Sequence, residues 1–234
     1  MNDLRLTPRL KCVAECLNPC RLLADIGTDH AYIPIYAVKN KIADHAIASD
    51  VVKGPLEIAR DNVSKNGLLD DIDVVLADGI SASGGADTAV IAGMGGTLIC
   101  KILSDNIKIA HSIKTLVLQP MTCNFELRKF LHKNGFKIVS EKLAKEENKI
   151  YNIMVVTSGE QHFDDEFYYY IGKALFDLKD SLLPEYLKHR ANVIKRQIGG
   201  MKKSKNPEII KKSKKLQKLY VRFNKEIAYY DKSK

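Results

Sequence analysis

The 234-residue chain is 45% apolar and 28% charged, a balance that suits one hydrophobic core with a smaller appendage and argues against disorder over most of its length. No stretch approaches about 18 uninterrupted apolar residues, and the start, MNDLRLTPRL, lacks a basic region followed by a long apolar run, so neither a membrane span nor a signal peptide is indicated and the cytoplasm is the expected compartment. The net charge of +9 is unevenly placed: Leu187 to Lys234 holds 16 Lys plus Arg against 3 acidic residues, while the preceding residues are net −4, so a mildly acidic body carries a basic end suited to a polyanion.

Thr7-Pro8 reads as a cap followed by a first-turn proline, and Leu6, Leu10, Val13 and Leu17 recur at helical spacing up to the Asn18-Pro19 break. RLLADIG follows as a buried strand delivering a turn, then a helix over His30 to Val38 with Pro34 near its first turn. ADHAIASD is a second strand ending at Asp50, and Gly54-Pro55 opens a helix closed by Asn66-Gly67. IDVVLADG, TAVIAG and TLVLQP are the next strands, with helices expected over Thr97 to Leu103 and Asn124 to Lys133. Two further strands flank the polar loop Glu146 to Lys149 as an antiparallel edge hairpin. Strands apolar throughout, alternating with helices, imply an α/β fold with a seven-stranded, mainly parallel sheet covered on both faces.

After Gly159 the pattern is helical. FDDEFYYYIGKALF and DSLLPEYL carry acidic and aromatic residues. Leu187, Ala191, Ile194, Ile198 and Met201 form one heptad seam, and Ile209, Ser213, Leu216, Tyr220, Phe223, Ile227 and Tyr230 form another. With Asn206-Pro207 as the turn, they predict an antiparallel helical hairpin, weakened near its tip by Gly199-Gly200. Lys202, Lys203, Lys205, Lys211, Lys212, Lys214 and Lys215 flank that tip and suit phosphate contacts better than base reading. A competing reading makes the seams a dimer interface. Five cysteines, Cys12, Cys16, Cys20, Cys100 and Cys123, have no second cluster to complete a zinc site, so they are read as semi-buried thiols and no metal is expected.

Ligands of such sheets bind outside the carboxyl ends of the strands. This chain places Asp25-Ile-Gly-Thr-Asp-His30, Asp50, Asp78-Gly79, the Gly93 to Gly96 loop and Gln119-Pro120 there. No G-x-G-x-x-G follows the first strand and no G-x-x-x-x-G-K-[ST] occurs. Carboxylates at one rim repel phosphate but suit a ligand with hydroxyls, an amino group, an adenine and a positive charge, which describes S-adenosyl-L-methionine. In that reading Asp25 meets the amino group, Gly27 lets the backbone pass close, Asp50 accepts from the ribose hydroxyls, and Asp78 with Gly79 meets the adenine edge. Thr28, Val51, Ala92 and Gly93 complete the cofactor set. Nicotinamide redox chemistry lacks its glycine fingerprint.

The combination LADIGTDHAYIPI, ASDVVKGPLEIARDN, VVLADG, VIAGMGG and VLQP resembles the bacterial tRNA adenine-N1 methyltransferases that modify adenosine 22. The resemblance implies a class I Rossmann-like methyltransferase domain over residues 1–160, a basic coiled-coil tRNA-binding arm over 161–234, and methyl transfer from S-adenosyl-L-methionine to N1 of adenine in the D arm of tRNA. Gly93, Met94, Gly95 and Gly96 then admit a flipped base to the backbone, with Met94 against its face. Asp29 and His30 are the candidates for positioning or stabilising it, His30 alternatively capping the helix, and Tyr32 and Tyr36 either stack on a base or pack internally. Arg9 is read as a phosphate contact. The family's usual asparagine after LQP is Met121 here. The partner implied is tRNA, to a monomer or weak dimer with no obligatory protein partner; the residues alone leave open another RNA position or class, and a non-catalytic RNA-binding module.

Overall fold

The computed structural model describes residues 4–202 and 204–232. Thr7 caps α1 (Pro8–Ala14), its hydroxyl accepting from Leu10 N at 3.4 Å, with Pro8 in the first turn. The helix stops at Ala14, so Cys16 lies beyond it, buried together with Cys12. The five expected strands follow as β1 (Cys20–Ile26), β2 (Ala43–Asp50), β3 (Ile72–Leu76), β4 (Thr88–Gly95) and β5 (Thr115–Thr122). They are joined by α2 (Tyr32–Lys39), α3 (Lys53–Lys65), a 3-10 turn (Gly79–Ser83), α4 (Gly96–Asp105) and α5 (Ile107–Ser112). α6 (Asn124–Lys133) leads to the hairpin of β6 (Phe136–Glu146) and β7 (Lys149–Ser158).

The sheet order is β3-β2-β1-β4-β5-β7-β6. β1 to β5 are parallel, β7 is antiparallel to β5, and β6 is antiparallel to β7. The seven-stranded, mainly parallel sheet expected from the sequence is therefore the one that forms. Alternate residues of the strands feed two cores: Leu23, Val90 and Val117 pack with α1, α2 and α3 on one face, while Ala24, Ile91 and Leu118 pack with α4 and α6 on the other. Burial on both faces is why these strands read as unbroken apolar runs. Successive strands lie on opposite sides of the β1–β4 boundary, β2 and β3 to one side and β5 to the other, and such a reversal opens a crevice outside the strands' carboxyl ends.

A charged pair is sealed inside. Arg128 of α6 donates through Nε and Nη2 to Glu141 Oε1 at 3.0 and 2.7 Å and to Asn152 Oδ1 at 2.7 Å, fastening the edge hairpin to the helix. The carboxylate and amide compensate the guanidinium for its lost water.

The chain divides into two compact units, one ending at Phe163 and the other starting at Asp164. In the second, the expected helix FDDEFYYYIGKALF is split at Gly172 into α7 (Phe167–Ile171) and α8 (Lys173–Asp177). α9 (Leu183–Met201) continues through Gly199 and Gly200 without interruption, and α10 (Pro207–Lys232) starts at the predicted proline, with Asn206 Oδ1 accepting from Glu208 N at 2.9 Å. Leu187, Ala191, Ile194 and Ile198 are buried on α9, as are Leu216 and Phe223 on α10. Lys188 Nζ lies 2.8 Å from Asp231 Oδ1, pairing the start of one helix with the end of the other in an antiparallel hairpin. Ile209, expected in the seam, is exposed at the tip. No described helix is long and apolar enough to cross a membrane.

Candidate active site

A cavity of about 390 Å³ opens at the carboxyl ends of β1 and β4, where Arg9, Asp25, Gly27, Thr28, Asp29, His30, Tyr32, Ala92, Gly93 and Met94 all contribute to its wall. Its size lies at the low end of the range typical for small-molecule pockets. Beyond β1 the chain crosses to β2: the N–H groups of Gly27 and Thr28 both donate to Ser49 O at 2.8 Å. Gly27 has φ +74°, and a Cβ there would lie 2.0 Å from Met94 Cε. The Met94 side chain thus covers Gly27 and belongs to the wall between the strands.

Asp25 is buried at the base of this cavity. Burial pushes its carboxyl up to about 6; the Asp50 charge adds to the rise, and the Thr28 hydroxyl opposes it. Thr28 Oγ1 is itself buried beside that carboxyl, in a contact short of full hydrogen-bond geometry. Asp50 closes β2 with Oδ1 accepting from Val52 N at 2.8 Å. Val51 and Asp78 line a second, more open cavity of about 450 Å³ together with Leu76 and Ala77. Gly79 has φ +56°, and a Cβ there would press on Ile102 Cγ2 of α4 at 3.3 Å.

Several expectations need correction. α2 begins at Tyr32 because Ala31 adopts φ 55°, so His30 is a loop residue and not the cap. Its Nε2 lies 3.2 Å from Asp29 Oδ2, and its ring stacks on Tyr32 with centroids 5.0 Å apart. Tyr36 packs against the core. The glycine segment is not a loop: β4 runs to Gly95, and only Gly93, at φ +80°, leaves the ladder. Gly96 cannot admit a base, since a Cβ would already meet Cys123 O at 2.6 Å and Thr122 O at 2.7 Å. The exposed glycine of the group is Gly93.

Arg9 lies on the cavity wall with part of its guanidinium engaged within the protein. Its Nη1 donates to Gln119 Oε1 at 2.7 Å, its backbone N–H donates to Glu146 Oε2 at 3.1 Å, and its guanidinium lies over the Tyr151 ring at 5.7 Å. Gln119, which the sequence places at the rim without a specific role, is fully buried. The signal was present, a polar residue inside the apolar run TLVLQP.

In the second unit, Lys202, Lys205, Lys211, Lys212, Lys214 and Lys215 are exposed, whereas Lys203 lies outside the described residues. Lys215 is engaged, with Nζ 2.8 Å from Glu166 Oε2. No group of three or more metal-ligating side chains occurs among the described residues.

Residues 23–225 match the profile of the TrmK family, described as tRNA (adenine(22)-N(1))-methyltransferase. The chain belongs to this family. The tRNA (adenine(22)-N(1))-methyltransferase of Bacillus subtilis strain 168 is 39% identical over 163 residues, which cover 69% of this chain and 68% of the relative. The crystal structure of the B. subtilis m1A22 tRNA methyltransferase TrmK is similar with a TM-score of 0.85 at 29% identity, covering 96% of this chain and 100% of that one. Streptococcus pneumoniae Sp1610, solved in complex with S-adenosyl-L-methionine, is similar with a TM-score of 0.81 at 30% identity, covering 92% and 100%. Both solved structures cover more than nine-tenths of this chain.

Proposed function

We propose that the chain works as its family does, methylating N1 of adenosine 22 in tRNA with S-adenosyl-L-methionine as donor. The observation that carries this reading is the cavity at the β1–β4 reversal, which joins a buried carboxylate, Asp25, to the bare backbone of Gly93. The residues present fit the cofactor. Asp25 and Arg9 offer a carboxylate and a guanidinium to one cavity, matching an amino-acid zwitterion, and the buried Thr28 hydroxyl beside Asp25 adds a polar group. Asp50 at the end of β2 suits ribose hydroxyls, and Asp78, in the neighbouring cavity, suits an adenine edge.

S-adenosyl-L-methionine, when bound, supplies an electrophilic methyl group. The chain's part is to hold the acceptor. N1 of neutral adenine carries an in-plane lone pair and is unprotonated near neutral pH, so alignment rather than a strong base is required. Gly93, with no side chain, lets an unstacked ring approach the wall. Asp29, exposed at the cavity with His30 beside it, stabilises the positive charge that the base acquires. On the second unit, Lys202, Lys205, Lys211, Lys212 and Lys214 grip tRNA phosphates, which makes residues 164–234 the tRNA-binding part. Such an enzyme acts in the cytoplasm, where its tRNA is.

The test is incubation with unmodified tRNA and methyl-labelled S-adenosyl-L-methionine, followed by nucleoside analysis and primer extension. N1 methylation blocks Watson–Crick pairing, so extension halts at adenosine 22. Label recovered at another atom or nucleotide, or no label at all, overturns the proposal.

A further inference from the structure

The β4–β5 ladder is interrupted twice at the rim of the cavity. Ala92 pairs with Gln119 and Met94 with Pro120, which leaves Gly93 as an extra residue on β4; Gly95 then pairs with Thr122, which leaves Met121 extra on β5. A bulged residue loses its ladder partner, so the Gly93 N–H needs an acceptor from elsewhere.

Gln119 supplies it. Its Oε1 accepts from Gly93 N at 3.1 Å and from Arg9 Nη1 at 2.7 Å. Two donors converging on one atom fix which end of the amide is oxygen. The other end, Nε2, donates to Pro120 O at 3.1 Å and reaches Met121 Sδ at 3.6 Å. The side chain is fully buried, so water does not substitute for any of these partners. One amide therefore ties α1, the bulge of β4 and the end of β5 together at the point where the proposed base meets the protein.

We propose that Gln119 is a positioning residue for methyl transfer, holding the Gly93 peptide and the Arg9 guanidinium in the arrangement that the acceptor base requires. This rests on the function proposed above. Glutamate at this position keeps the reach and both acceptor contacts and gives up the donation to Pro120 O. Leucine keeps the approximate volume and removes the acceptor. Asparagine keeps the amide but is one methylene short.

The experiment uses the full chain with Gln119→Leu, Gln119→Glu and Gln119→Asn, tRNA as substrate, and two readouts: kcat at saturating cofactor and tRNA, and hydrogen exchange of the Gly93 amide in protein labelled with 15N-glycine. A merely structural residue would lower the melting temperature and leave kcat of the folded fraction unchanged. Positioning predicts that Gln119→Leu accelerates Gly93 exchange and lowers kcat by about tenfold to a hundredfold, while Gln119→Glu keeps both within about threefold of the original. Should Gln119→Leu fail to fold, Gln119→Asn carries the loss arm against the same Gln119→Glu rescue. A loss variant with kcat within about twofold of the original, or a Gln119→Glu variant as impaired as the loss variant despite a protected Gly93 amide, overturns the positioning role. Absence of transfer by the unaltered chain refutes the proposed function itself, and the Gly93 exchange rates then still decide whether Gln119 holds that amide.

Discussion

Replacing Asp25 by asparagine should raise the stability of the ligand-free protein and weaken its hold on the cofactor. Burial, reinforced by Asp50 and opposed by Thr28, lifts this carboxyl from an ordinary 3.8 to about 6. The native state therefore binds the proton more tightly than the unfolded chain, the reverse of a salt-bridged carboxylate. Folding stability falls as pH rises from about 4 to about 6, and above that window the full cost of the buried charge is present. At 1.36 kcal/mol per pH unit the displacement corresponds to roughly 3 kcal/mol. Asparagine removes the charge at nearly constant shape, but its amide hydrogens lack assured acceptors, so the net gain near neutral pH is about 1–2 kcal/mol and shrinks as pH falls towards about 4. Binding runs the other way, because an ammonium on the ligand needs the ionised carboxylate. Titration calorimetry with S-adenosylhomocysteine should show the ratio of association constants, original over Asp25→Asn, rising about tenfold between roughly pH 5 and 7. Taking the ratio cancels the ligand's own titration. A variant less stable than the original near neutral pH, or a ratio flat across that interval, would refute the reasoning.

Gly96→Ala should cost about 3 kcal/mol in urea unfolding, because the new Cβ meets two carbonyl oxygens that cannot retreat, whereas Gly54→Ala in α3 meets nothing within 4 Å and should gain up to about 1 kcal/mol from helix propensity. Replacing Lys211, Lys212 and Lys214 together by glutamine should weaken tRNA binding and flatten its dependence on the logarithm of salt concentration by about 2–3, with cofactor affinity unchanged. Lys215→Gln should change both less, since its ammonium is already paired with Glu166; equal losses would contradict that ranking. Gly27→Ala should cost about 1–2 kcal/mol through its positive φ and lower cofactor affinity by displacing the Met94 methyl into the cavity. Adding Met94→Ala should restore affinity without restoring stability, and a double-mutant cycle with no coupling in affinity would contradict the contact.

The strand ends were legible because each parallel strand is an apolar run stopped by an acid or a glycine, and that pattern is local. Asp25, Gly27 and Gly93 came out of it directly. What escaped depends on partners distant in sequence. Gly93 to Gly96 reads as a loop because three glycines disfavour a strand, yet pairing with Gln119, Pro120 and Thr122 keeps β4 going to Gly95. Arg9 and Gln119 are 110 residues apart, so no periodicity links them. α5 is six residues with no side-chain cap, too short to announce itself. FYYYIGKALF reads as one helix because its aromatic and apolar spacing runs across Gly172, where the helix breaks.

The glycines of AGMGG share a residue type but not a reason for it. Gly96 is small because the β5–α6 turn lies against it, with two backbone oxygens under 3 Å from any Cβ. Gly95 faces Thr122 Oγ1 at 3.4 Å, an ordinary contact that a methyl group could meet with a slight shift. Gly93 alone combines a positive φ with an open face, where a Cβ would have only Arg9 Nη1 within 4 Å, at 3.7 Å. A residue that is strained for any side chain, exposed to a cavity, and held through its N–H by a buried amide is built for something outside the protein to approach. That separation predicts different failures for alanine at each position: a destabilised fold at Gly96, little change at Gly95, and at Gly93 a folded protein that still binds cofactor but transfers methyl groups slowly. Equal loss of stability at Gly93 and Gly96 would mean that the glycines serve packing alone.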